Sequence, residues 1–312
     1  KVIFGDTGSG NTVFSLQDDF YVDDPMQVNH HGAATGWVEL INGTWRTNGH
    51  NVRFDYFSSM ANSLPTRGID IAGSTITIEG SHPYANHWGL NFSTVGVPNF
   101  STFNAAGSTI HVRTYPQLPW NKQVYMGTGL AYHNFISDAP ITMYGASAAA
   151  GAPVPTTFNE LRLNQGAMIT HGVNYSANDV YLTGGYRYYF YYFTNILEGE
   201  RFHNPSPCGA YLIMETERES HPNTRGIIRI RPAGGVFSMD KLILIDTECD
   251  ISAGRTYNAT NSYKRGYTPI TVAPFDWNLT NPVGQDFYFV GRHTITRGTN
   301  LYYNWGNANN WD

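Results

Sequence analysis

The feature that most limits the fold is a short pattern that returns four times. "LINGTWRT" (Leu40–Thr47), "IAGSTITI" (Ile71–Ile78), "AAGSTIHV" (Ala105–Val112) and "NQGAMITH" (Asn164–His171) each end one strand and turn on a glycine. Each then passes a small or hydroxyl residue and opens a new strand. A strand alternating Ile, Thr, Ile, Thr sends one row of side chains inward and the other outward. Glycine (Gly43, Gly73, Gly107, Gly166) turns the corner where a Cβ would clash. The spacing between these glycines is irregular. That suits a solenoid whose coils carry loops of unequal length better than a propeller with fixed blades.

The rest of the chain agrees with this reading. "TVFSLQDDFYV" (Thr12–Val22), "GWVELINGTW" (Gly36–Trp45), "RGIDIAGSTITIEG" (Arg67–Gly80) and "FNELRLNQGAMITHG" (Phe158–Gly172) put apolar residues at every second position around a turn. No amphipathic helix stands out, and the Ala-rich "GASAAAGAPVP" (Gly145–Pro155) is broken by Gly and Pro. The expected fold is therefore all-β: a parallel β-helix or β-solenoid of irregular coils over residues 1–183. A sandwich of two antiparallel sheets could use the same strands.

From Gly184 the character changes. "GGYRYYFYYFTN" (Gly184–Asn195) is aromatic on both strand faces, with Tyr186, Tyr188, Phe190 and Tyr192 on one and Tyr189, Tyr191 and Phe193 on the other. Residues 184–285 are expected to form terminal coils or a small, sandwich-like β-domain.

Only 14% of the 312 residues are charged, against roughly a quarter in an average globular protein. A net charge of −5 with scattered lysines leaves no basic stripe and no reason to expect nucleic acid. No apolar run approaches the roughly 20 residues that span a bilayer. The opening "KVIFGDTGSG" reads as if inside a strand, so the chain is expected to be processed or to belong to a longer protein. Its Asp-Thr-Gly triplet has no second copy and carries nothing. Cys208 and Cys249 permit one disulfide without requiring it.

Three constellations bear on function. The tyrosines of the aromatic run (Tyr186, Tyr188, Tyr189, Tyr191) offer flat apolar faces with hydroxyl edges, which suits stacking on sugar rings. The competing expectation is that this row is covered by a loop or an adjoining unit. "DDFYVDD" places Asp18, Asp19, Asp23 and Asp24 where they could join backbone carbonyls around Ca²⁺, although no EF-hand or nonapeptide spacing accompanies them. Solvated turn acids are the favoured reading of them, and no other cofactor is expected. Glu215, Glu217 and Glu219 repeat at period two beside Arg218. Paired carboxylates could hydrolyse a glycoside, but like charges on one strand face also resist edge pairing. The histidines show neither HExxH nor zinc-finger spacing.

Several stretches resemble the giant, repetitive cell-surface proteins of the Bacteroidota that leave the cell by the type IX secretion route, among them the large adhesins of gliding motility. The matching stretches are "GTWRTNGHNVRFDYFSS" (Gly43–Ser59), "GIDIAGSTITIEG" (Gly68–Gly80), "HWGLNFS" (His87–Ser93), "FNAAGSTIHV" (Phe103–Val112), "FNELRLNQGAMIT" (Phe158–Thr170) and "MDKLILIDTECDISAGRTYNATNSYKRG" (Met239–Gly266). The tail "FYFVG…YYNWGNANNWD" is similar to the way one such unit closes and the next opens, so residues 286–312 are expected to begin a following repeat unit. The resemblance implies a non-enzymatic segment of an extracellular bacterial surface protein, an adhesin or a filament or stalk building block. Its implied partners are adjoining repeat units of the same chain and a surface polysaccharide or substratum. It carries over no catalytic residue. A β-helical polysaccharide-degrading enzyme, or a tailspike-like protein, is the alternative.

Overall fold

A computed structural model describes residues 2–5, 12–22, 36–59, 67–79, 86–90, 100–113, 122–145, 154–206, 209–218, 220–265 and 277–280. Within them the chain winds as a parallel β-solenoid. One sheet holds eleven strands, a second thirteen and a third three, and every described pairing is parallel. Two antiparallel sheets do not occur among the described residues. The eleven strands of the first sheet mark eleven coils, which at about 4.8 Å per rung gives a stack about 50 Å long. Among the described residues the helical content is a single 3₁₀ turn, Ser252–Gly254. Among the described residues no helix is long and apolar enough to cross a membrane.

The register shows why alternation forces this fold. In the first sheet Val38, Phe57, Trp88, Val124, Met143, Ile169, Phe190 and Thr216 lie one above the other. All eight are buried. In the second sheet Phe20, Val52, Ile76, Ile110, Phe135, Leu161, Val180 and Phe202 form the matching inward column. The two columns meet in one continuous core, where Phe57 stacks on Trp88 at 4.7 Å and on Trp45 at 5.2 Å. The chain returns to the same position after uneven intervals, as the sequence pattern predicts.

The cross-section changes along the axis. The first three coils have three short strands each, such as Trp37–Leu40, Gly43–Arg46 and Val52–Phe54 in the second. In the fourth coil the second and third sides fuse into one strand, Phe100–Val112, whose first half pairs with Arg67–Asp70 and whose second half pairs with Thr75–Ile78. Gly107, at φ +68°, makes the bend. It stands directly over Gly73, which stands over Gly49, and a Cβ at Gly73 or Gly107 would point at the α-carbon below. The third side reappears as Val236–Asp240, Thr256–Thr260 and Trp277–Thr280.

Gly43 and Gly166 turn different corners from Gly73 and Gly107. Gly43 leads into the second sheet and Gly166 into the first. The fourfold motif is thus a shared way of turning, not one repeated position. The first and second sheets both continue through residue 184 into the aromatic segment. Residues 286–312 lie outside the described residues.

Candidate functional site

The aromatic run lies in the eighth coil, on the strand Arg187–Tyr191. Alternation holds up to Tyr191. Tyr188 and Phe190 point inward and are 0% exposed. The Tyr188 hydroxyl donates to the Leu163 carbonyl at 2.6 Å, and burial pushes its pKa far up. Its ring is core and presents no face to an outside ligand. Tyr189 points outward yet is also buried. Its hydroxyl donates to the Glu217 carboxylate, and its ring lies beneath the Arg187 guanidinium at 4.2 Å. Tyr186, just ahead of the strand, and Tyr191, at its end, are half-buried.

Tyr192 and Phe193 leave the alternation because both adopt left-handed backbone, at φ 48° and 59°. For aromatic residues that conformation costs on the order of 1 kcal/mol or more and needs outside support. Asn195 supplies it. Fully buried, its amide nitrogen donates to the carbonyls of Tyr191, Tyr192 and Phe193 at 3.2, 2.9 and 3.3 Å. Its carbonyl oxygen accepts from the Gly172 and Val173 amides of the neighbouring coil at 3.2 and 3.3 Å. Asn195 belongs to none of the functional sequence motifs. An Asn right after an aromatic turn was its one signal.

This corner belongs to a longer ladder. Tyr125 stacks on Tyr144 at 4.5 Å, Tyr144 lies 5.3 Å from His171, His171 5.5 Å from Tyr192, and Tyr192 4.3 Å from His221. Five successive coils contribute one ring each. Burial, then Tyr144, raises the Tyr125 pKa to about 12, and burial lowers that of His171. Tyr125 and Tyr144 lie face to face, whereas the later pairs are tilted by 40–57°. Phe193, 47% exposed, is the large apolar side chain left open beside the row.

The carboxylates of the ninth coil are engaged. Arg187 holds Glu215 at 2.6 Å with little exposure on either side. Burial still raises the Glu215 pKa, outweighing the guanidinium. For Glu217 the order reverses: burial raises, but hydrogen bonds from Tyr189 and Ser220 together leave its pKa lowered. Arg218 is buried against Glu248. Glu219 lies outside the described residues.

The outer face of the second sheet is ionic. Asp179 takes a forked contact from Arg201 at 2.7 and 2.6 Å and a third from His203 at 2.8 Å. The Arg201 bond first, then His203, draws its pKa down to about 2. Arg162 bonds Glu160 at 2.8 Å and lies 4.0 Å over the Tyr181 ring, which stacks on His203 at 4.3 Å. Arg229 joins Glu198 to Asp250, and Arg231 joins Glu200 to Asn178. An amide ladder, Asn134 to Asn159 to Asn178, runs beside them at 3.2 Å per step.

Of the calcium candidates, Asp18 and Asp19 are exposed in the first coil. Asp19 accepts the Asn51 amide at 2.8 Å and the Tyr21 hydroxyl at 3.0 Å, and these two bonds, the amide first, lower its pKa. Asp23 and Asp24 lie outside the described residues. Among the described residues no three acidic, histidine or cysteine side chains come together as a metal site. Cys249 is buried, and Cys208 lies outside the described residues.

No family model, no curated protein and no solved structure matches the chain. The likeness to type IX-secreted surface proteins rests on the quoted motifs.

Proposed function

We propose that the chain is a length of rod in a large extracellular bacterial surface protein, serving as an adhesin or as a filament or stalk building block. The observation that carries this reading is the unbroken run of both main sheets through the coils, with the outer charges paired off between neighbouring coils. A ligand site for a charged substrate leaves charges unpaired and convergent. Here neighbouring coils consume them, which stiffens a spacer. Any contact with polysaccharide falls to Tyr192, Phe193 and the rest of the ring ladder, since Tyr188 and Tyr189 are buried. Adjoining units of the same protein are the natural neighbours of such a rod, because solenoid coils bury their apolar faces on one another.

Antibodies raised against the purified chain should label intact, unpermeabilised cells that express it. Labelling that appears only after lysis defeats the reading. The glycan-cleaving alternative draws on one observation, the opposite pKa shifts of neighbouring Glu215 and Glu217. A polysaccharide panel separates the two: binding without release of reducing ends supports the rod, and release that disappears in Glu217→Gln supports the enzyme.

A further inference from the structure

We propose that Asn48 is a site of spontaneous deamidation, and that its conversion loosens the first coil from the second. The chain holds two Asn-Gly pairs, Asn42–Gly43 and Asn48–Gly49. In such a pair the glycine backbone nitrogen can attack the Asn Cγ. The new N–Cγ bond closes a succinimide ring, the Cγ–Nδ2 bond breaks, and ammonia leaves with the glycine amide proton. Water then opens the ring at either carbonyl, giving aspartate or isoaspartate. Nothing is oxidised or reduced, and no enzyme is needed. Glycine favours the attack because it has no Cβ to hinder the approach.

The structure separates the two pairs. Asn42 is 2% exposed, and a Cβ on Gly43 would lie 2.5 Å from the Thr12 carbonyl oxygen, so that corner has no room for ring closure or water. Asn48 and Gly49 are both exposed. They have left-handed backbone, at φ 55° and 80°, and the His50 amide donates to the Thr47 carbonyl at 3.0 Å, which makes a type I′ turn. One coil on, the Gly73 amide donates to the Ala106 carbonyl at 2.8 Å. The Gly49 amide has no backbone acceptor among the described residues, and a Cβ on Gly49 would meet nothing within 4 Å. The attacking nitrogen is outside the backbone ladder, in open space.

The leaving amide has a structural task. Asn48 Nδ2 donates to the Leu16 carbonyl of the first coil at 2.8 Å. Deamidation replaces that donor with a carboxylate oxygen, which can only accept. A bond between coils becomes a repulsion, and isoaspartate also lengthens the turn by one backbone carbon. On either side, the Leu16 amide donates to Arg46 and the Phe20 amide to Asn51, each at 2.9 Å. These two bonds join the same pair of coils and should open more often once Asn48 is converted.

Prolonged incubation of the 312-residue chain in warm, mildly alkaline buffer, followed by peptide mapping with mass spectrometry, tests the chemistry. In the folded chain Asn48 is expected to convert at least about tenfold faster than Asn42, with isoaspartate among the products. In urea, where both corners are lost, the two rates should converge. Asn48→Asp, which reproduces the aspartate product, should speed hydrogen exchange at Leu16 and Phe20 and leave the later coils as they are. An Asn48 that stays an amide in the folded chain, or that converts no faster than Asn42, overturns the proposal. So does an Asn48→Asp chain whose exchange at Leu16 and Phe20 matches that of the parent.

Discussion

The two main sheets wind through the same coils at the same rung spacing, yet their outer faces are built differently. Outward residues of the first sheet are largely buried: Thr142, Met168, Thr170, Arg187, Tyr189, Ile213 and Ile243. Outward residues of the second sheet reach solvent as Glu160, Asp179, Arg201 and their partners. In an in-register parallel stack each position meets its own counterpart about 4.8 Å above and below. A column must therefore be compatible with itself. Rings solve this by stacking, as Tyr125 and Tyr144 do. Charges solve it by meeting an opposite charge, as Glu198 and Arg229 do, or by recruiting a flanking arginine where Glu160 and Asp179 fall side by side.

The sharpest way to break the comparison is to remove one arginine from the closed face. Arg187→Met strands Glu215 in a buried site beside Tyr189. The expected loss is about 3–5 kcal/mol, since a buried charge without its partner is costly. Arg187→Met with Glu215→Met should recover much of it. Urea unfolding measures both, and a double variant as unstable as the single one would show that the pair contributes more than mutual neutralisation.

Next in size is the corner that holds the aromatic ladder. Asn195→Ala removes a fully buried amide that serves five backbone groups on two coils. Stranding even two of these groups costs about 2–3 kcal/mol. Hydrogen exchange should quicken first at Gly172, Val173 and the residues after Tyr191. Uniform exchange across the coils would place the role of Asn195 elsewhere.

Acid should act on the two faces with opposite sign. Glu215 has a folded pKa above its ordinary value, so its contribution is present at low pH and is lost as pH rises through that raised value. Asp179, held at about 2, contributes above the unfolded carboxyl range near about 3.9 and loses that contribution as pH falls toward about 2. Glu215→Gln should therefore reduce the stability lost between mildly acidic and neutral pH. Asp179→Asn should flatten the acid limb, by less than about 1 kcal/mol because Arg201 is solvent-exposed. Parallel shifts in the two variants would contradict the opposite environments.

The same contrast explains what the sequence could disclose. Alternation in "STITIEG" and "FNELRL" reads directly as a one-sided sheet, because polar residues mark the outside. "RYYFY" is buried on both faces, so alternation within it separates inward Tyr188 from outward Tyr189 but says nothing of exposure. The left-handed turn at Tyr192 and Phe193 is equally hidden, for neither is a residue type that signals positive φ. The ladder from Tyr125 to His221 needs the coil register, because its members are spaced unevenly along the chain. Glycine corners were visible as turns. Their assignment to particular corners was not, because the same local chemistry serves all of them.

The smallest expected effect is the most direct counterpart to the largest. Arg201 makes a better-formed contact than Arg187, forked onto Asp179 at 2.7 and 2.6 Å, but its side chain is 63% exposed. Water solvates either partner when the other is removed, and His203 remains on Asp179. Arg201→Ala should therefore cost no more than about 1 kcal/mol, shrinking further as salt screens the pair. If it proved as damaging as Arg187→Met, geometry and not burial would set the strength of these rungs. The ionic face would then be a main source of the rod's stability, where the exposures make it a solvated outer layer on a stack held by its core.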